Sequence, residues 1–189
     1  MPLLRSVEKR YNNSRTMQAS FEQALRGQGR IGRSERGELY LQRPGKMRWN
    51  YTSPEGKLFL VDGKNVYYYN PVNRKAEKSP AKESGDMRTP LAFLMGRLDF
   101  QRDFQRFISR VEGDITHVVA VPKSDKAPYS EVEFDLTRDA VIRTVTVKSQ
   151  DGSVMSFRFS GEKLNPRLAE EVFQFTLPAG AEMVEGEGR

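Results

Sequence analysis

Arg43 stands where a cation is least expected. Leu39 and Leu41 share its parity on one side of the turn at Pro44-Gly45, and Met47, Trp49 and Tyr51 share it on the other. Side chains alternate faces along a strand, so this spacing aims a guanidinium to the same side as a row of apolar groups. A guanidinium is all donor and no acceptor, and among apolar neighbours it is costly unless something takes its hydrogen bonds. The chemistry on offer is hydrogen bonding and closure: Arg43 either latches something or binds something. The plainer alternative is a strand-end arginine that reaches out to water along its own stem.

No other constellation promises bond-making chemistry. The chain has one histidine and no cysteine. That histidine, His117, lies in a strand-like stretch between Thr116 and Val118, and no Gly-x-Ser-x-Gly elbow accompanies it. Glu131-Glu133 and Glu170-Glu171 are carboxylate pairs without a partner motif, and a solvated face accounts for them. No His/Asp/Glu set has metal spacing, and no Gly-rich loop follows a strand and opens a helix. The expectation is a protein that is not an enzyme and needs no cofactor or metal.

The chain of 189 residues suits a single domain, 1–189, with a substantial core. Its formal net charge of +6 allows an anionic partner such as a lipid surface. The basic residues are dispersed among acidic ones without a stripe or motif for nucleic acid, so none is expected as a partner. No apolar run approaches the ~20 residues that cross a bilayer. Met1-Pro2-Leu3-Leu4 does not open a signal peptide of the usual charged and then apolar form.

The elements that must position Arg43 are mostly strands. Leu3, Leu4, Val7 and Tyr11 fall at helical intervals and predict a short amphipathic helix ended by Asn12-Asn13-Ser14. Met17, Ala19 and Phe21 alternate in an extended stretch from Thr16 to Leu25, and the Gly- and Arg-rich residues Arg26 to Arg33 suggest a turn or loop. Beyond Tyr51, strands are expected at 57–61 and 65–70 around the Asp62-Gly63-Lys64 turn, with a polar edge strand at 74–78. Thr89-Pro90 and Gly96 bracket a short helix over 90–95 that is apolar nearly all round, so it should be covered on both sides. Further strands follow at 115–121, 131–136, 141–148 and 154–160, then one helical turn within 162–172 and a last strand at 173–178. Successive strands on short turns favour an antiparallel sheet, curved or barrel-like.

Several segments, in order, resemble the outer-membrane lipoprotein carrier family, the LolA-like proteins. They are Phe21-Glu22-Gln23, then Gly37-x-Leu39-x-Leu41-x-Arg43-Pro44 with Met47-x-Trp49-x-Tyr51, then Val61-Asp62-Gly63-Lys64 with the aromatic strand to Asn70. Thr89-Pro90-Leu91 resembles the start of an internal lid helix, and Phe173-x-Phe175-x-x-Pro178-x-Gly180 the family's C-terminal end. The resemblance implies a mainly β fold with a few helices (α+β): an incomplete, half-open antiparallel β-barrel of about eleven strands with a helical lid over an apolar cavity. It implies a monomeric periplasmic chaperone, its targeting segment removed. Such a carrier takes acylated lipoprotein cargo from an inner-membrane ABC transporter to an outer-membrane acceptor lipoprotein. Arg43 takes the place of the family's cavity arginine.

On periodicity alone, Leu39, Leu41, Met47 and Trp49 could simply fill a barrel. The resemblance turns them into candidate lipid-cavity residues, together with Leu91, Phe93 and Leu94 of the lid and Phe134, Leu136, Met155 and Phe157, whose parity suits the same role. A carrier or sensor of free lipids or glycolipids on the same scaffold is the alternative function.

Overall fold

Apolar residues at helical spacing near the start, and at strand spacing thereafter, fold as those periods dictate in a computed structural model that describes residues 1–27, 30–81, 91 and 96–186. The strands are β1 (Thr16–Gly27), β2 (Arg30–Gln42), β3 (Lys46–Ser53), β4 (Glu55–Asp62), β5 (Asn65–Asn70), β6 (Lys75–Pro80), β7 (Phe104–Glu112), β8 (Ile115–Pro122), β9 (Tyr129–Thr137), β10 (Ile142–Ser149), β11 (Val154–Leu164) and β12 (Glu182–Glu185). Two helices, α1 (Pro2–Asn12) and α2 (Phe100–Asp103), and a 3-10 turn at Glu170–Phe173 complete the described elements. Hydrogen bonding links the strands in the order β12-β6-β5-β4-β3-β2-β1-β11-β10-β9-β8-β7, an open series. The pairs from β2 to β6 and from β7 to β11 are antiparallel, and β12 joins β6 in parallel. The expected fold class, mainly β with an open sheet and few helices, is the one observed, with twelve strands instead of about eleven.

The chain forms two compact units from interleaved segments. One comprises Arg15–Ser20, Glu35–Gly96 and Gly161–Arg189. Its sheet is buried on both faces, which is why β4 carries the unbroken run Leu58-Phe59-Leu60-Val61. On one face, Leu39 pairs with Trp49 and Trp49 with Phe59, beside a second row of Leu41, Met47 and Val61. On the other, Leu58, Leu60, Tyr69 and Ala76 are covered by Phe173, with Leu168, Val172 and Phe175 packed alongside. Tyr67 stacks on Phe175 with ring centroids 4.6 Å apart. Arg48 fastens this cover: its Nη1 donates to the carbonyls of Val172 (2.9 Å) and Gln174 (3.4 Å), and its Nε donates to Asn50 Oδ1 (2.7 Å). Burial lowers the Arg48 pKa from the ordinary arginine value.

The other unit comprises Met1–Ser14, Phe21–Ser34 and Arg97–Ser160. Helix α1 carries Pro2 in its first turn and Lys9 and Arg10 in its last, where the helix dipole favours them. It buries Leu4, Val7 and Tyr11, and the Tyr11 hydroxyl accepts a bond from the Ile142 backbone N–H at 2.9 Å. Asn12 holds Leu98 by both its backbone groups (2.7 and 2.8 Å), and a Glu8 oxygen accepts from the Phe100 N–H at 2.8 Å. These bonds seat α2, which is capped by Asp99 accepting from the Arg102 N–H.

The structure corrects several expectations. Of the turn or loop expected over 26–33, residues 26–27 belong to β1 and 30–33 to β2, because strand pairing overrides the local Gly signal, and residues 28–29 lie outside the described residues. The polar strand β6 is not an edge, since β12 pairs with it. The segment 173–178 is not a strand: Phe173 ends the 3-10 turn, and the following residues lie over β4 and β5 as a cover, with the last strand at Glu182–Glu185. Of the helix expected over 90–95 only Leu91, which is buried, lies among the described residues.

Candidate functional site

Arg43 follows β2 directly, and its backbone N–H donates to the Arg15 carbonyl at 2.8 Å. The tight turn to β3 is made by Pro44 and by Gly45 at φ 79°, a left-handed conformation that glycine adopts without strain. The Arg43 side chain is half-buried, and its Nε donates to the Gly96 carbonyl at 3.2 Å. Gly96 is the residue that ends the expected lid segment. The guanidinium at the head of the apolar row thus holds a backbone oxygen at the exit of that segment.

The row behind Arg43 is closed from water. Leu39, Leu41 and Trp49 have no exposed surface and Met47 has 1%. Gly37 lets β2 and β3 come this close: a Cβ there would overlap the Asn50 carbonyl oxygen and stand 2.8 Å from the Tyr51 Cα. In the other unit, Phe134, Leu136 and Phe157 have no exposed surface and Met155 has 8%. Phe134 and Phe157 flank Val145 across β9, β10 and β11. Phe100 and Phe104 pack edge-on against Phe134, at 5.3 and 6.0 Å between centroids. Phe93 and Leu94 lie outside the described residues.

A family model, the outer membrane lipoprotein carrier protein LolA, matches residues 12–176. The chain belongs to the outer-membrane lipoprotein carrier family. Among its relatives in this family, the outer-membrane lipoprotein carrier protein of Methylobacillus flagellatus is 31% identical over 182 residues, covering 95% of this chain and 87% of that protein. The carrier protein of Nitrosospira multiformis is 29% identical over 181 residues, covering 95% and 86%. The crystal structure of a LolA superfamily protein from Nitrosomonas europaea superposes with a TM-score of 0.51 at 10% identity, over 92% of this chain and 96% of that one, a likeness of fold alone. The resemblance seen from Gly37 to Tyr51 and beyond is therefore one of descent, and the family is one of carriers.

Two further groups complete the picture of this LolA-family chain. His117 is paired across strands: its Nδ1 lies 2.6 Å from Asp135 Oδ1, and its Nε2 lies 3.6 Å from Glu112 Oε2. A half-exposed histidine between two carboxylates on neighbouring strands is explained by sheet pairing. The group that sequence reasoning missed is Lys57. Its Nζ sits 2.6 Å from Glu35 Oε2 and lies over the rings of Tyr51 and Tyr68, at 4.7 and 5.7 Å from their centroids. The signal was present in its parity with Phe59 and Val61, the pattern already noticed for Arg43.

Proposed function

We propose that this chain is a single-domain periplasmic carrier that shields the acyl chains of lipoproteins between the inner and outer membranes. It acts as a monomer, takes cargo from an inner-membrane ABC transporter and yields it to an outer-membrane acceptor. The observation that carries this beyond family membership is the bond from Arg43 to the Gly96 carbonyl, made beside a fully buried apolar face. Leu39, Leu41, Met47 and Trp49 would contact an acyl chain, and Arg43 would hold the covering segment, with Leu91, while the carrier is empty. Phe134, Leu136, Met155 and Phe157 are proposed to contact cargo as well.

Magnitudes favour such an exchange. Burying a lipid chain gains about 0.8 kcal/mol per methylene, on the order of 12 kcal/mol gross for a long chain. A charge-assisted hydrogen bond contributes ~1.5–3 kcal/mol, so cargo can displace the Arg43 bond and still be retained. Displacing the side chains that now close the apolar face lowers the net affinity further, which lets a tighter acceptor take the cargo.

Native mass spectrometry of the protein extracted gently from the periplasm tests the proposal. Acylated proteins or peptides bound at one per chain are expected. Bound free lipid in their place would shift the function to lipid carriage, and a protein that stays empty when offered purified lipoprotein would end the carrier reading.

A further inference from the structure

The apolar face of β2, β3 and β4 has a charge at each end, and the two ends differ. At one end Arg43 is half-buried on a turn, and its Nε donates to the Gly96 carbonyl in an exposed position. At the other, Lys57 and Glu35 form an ion pair whose side chains are only 13% and 17% exposed. Tyr51, which continues the row of Trp49, and Tyr68, which pairs with Phe59, present their rings to the Lys57 ammonium. A cation held by a carboxylate and two aromatic faces is well satisfied where it is. It gains nothing by moving and has little water to move into.

We infer that the Lys57–Glu35 pair is the end stop of the acyl-chain site and sets the length of chain this carrier accepts. This rests on the carrier reading above. Back from Arg43, which directly follows β2, Leu41, Leu39 and Gly37 of β2 are successive two-residue steps, and Gly37 pairs with Tyr51, over which Lys57 lies. Three such steps span about 20 Å. One bilayer leaflet is ~15 Å deep, so an acyl chain of membrane length that enters beside Arg43 ends about one two-residue step short of Lys57. Methylenes laid over the apolar rows replace protein contacts of like kind. A methyl group driven further must strip the ion pair of its partners with little water to replace them, which hydrocarbon does not offset.

The test is a binding series on the purified full chain, using straight-chain fatty acids lengthened two carbons at a time from about ten to about twenty carbons. For the wild type, affinity should rise by roughly fourfold per methylene and then level off at one length. In Lys57→Met/Glu35→Met the rise should continue past that length by at least one further two-carbon step, about tenfold or more in affinity. Lys57→Arg, which keeps the pair, should level off where the wild type does. If the doubly apolar variant does not fold, Lys57→Gln/Glu35→Gln preserves volume and is scored in the same way. An identical plateau in wild type and neutralised variants, or a wild type that never levels off, would overturn the stop while leaving the carrier intact. A wild type that binds no chain of any length would overturn the carrier reading and the stop together.

Discussion

Arg43, directly after β2 and on the parity of its apolar row, is a cation that costs stability unless it is used, and a use is legible in the bond from its Nε to the Gly96 carbonyl. In Arg43→Leu the apolar row of Leu39 and Leu41 gains one more member, so the fold should persist. What disappears is the polar bond that competes with cargo for the covering segment. Loading should therefore continue while hand-off slows by roughly ten- to a hundredfold, the equivalent of one charge-assisted hydrogen bond. Arg43→Lys keeps the charge, loses the planar fork and should fall between the two. Loading and hand-off measured separately on each purified variant decide the matter: equal loss of both, or wild-type behaviour in both, would reduce Arg43 to a solvated strand-end side chain. At this scale the sequence was informative because parity is a short-range property. Arg43 is found from parity alone; Lys57 shares the parity of Phe59 and Val61, but its carboxylate and ring partners come from β2, β3 and β5, and register between strands is invisible in a single chain.

The strands themselves were legible wherever one face alternates, as in β1, where Met17, Ala19 and Phe21 are buried in turn. Alternation failed at the C-terminal end. Phe173 and Phe175 have strand spacing, yet they cover the far side of β4, where Leu58, Leu60 and Tyr69 would otherwise face water. Arg48 supplies the bonds that an irregular segment cannot make for itself. This division of faces makes a prediction at the level of the element. Phe173→Ala removes a ring that is only 4% exposed and should cost about 3 kcal/mol, seen as a lower midpoint in urea unfolding. Because Trp49 belongs to the opposite face of the sheet, its emission in the folded variant should match the wild type. A shifted native spectrum would mean that the C-terminal cover supports the apolar face as well as the outer one.

For the molecule as a whole, the face behind Arg43 is filled by protein in the state described, so the space for cargo must be made and not merely entered. Trp49 reports on this directly: it is the only tryptophan, it has no exposed surface, and it lies between Leu39 and Phe59. Its indole should emit as a buried chromophore before cargo is added. A long-chain lipid that replaces the covering side chains changes what the ring touches, and the emission should shift on binding. Leu41→Glu, checked for a native circular-dichroism spectrum, places a carboxylate in the neighbouring row and should abolish that shift, since a chain laid against it would desolvate the charge without a partner. Ile108→Glu, at a residue 64% exposed on the edge strand β7 among Arg106, Arg110 and Glu112, should leave it intact. If lipid binding is demonstrated independently and Trp49 emission does not move, the acyl chain lies elsewhere on the molecule, and the buried face with Arg43 at its head is core.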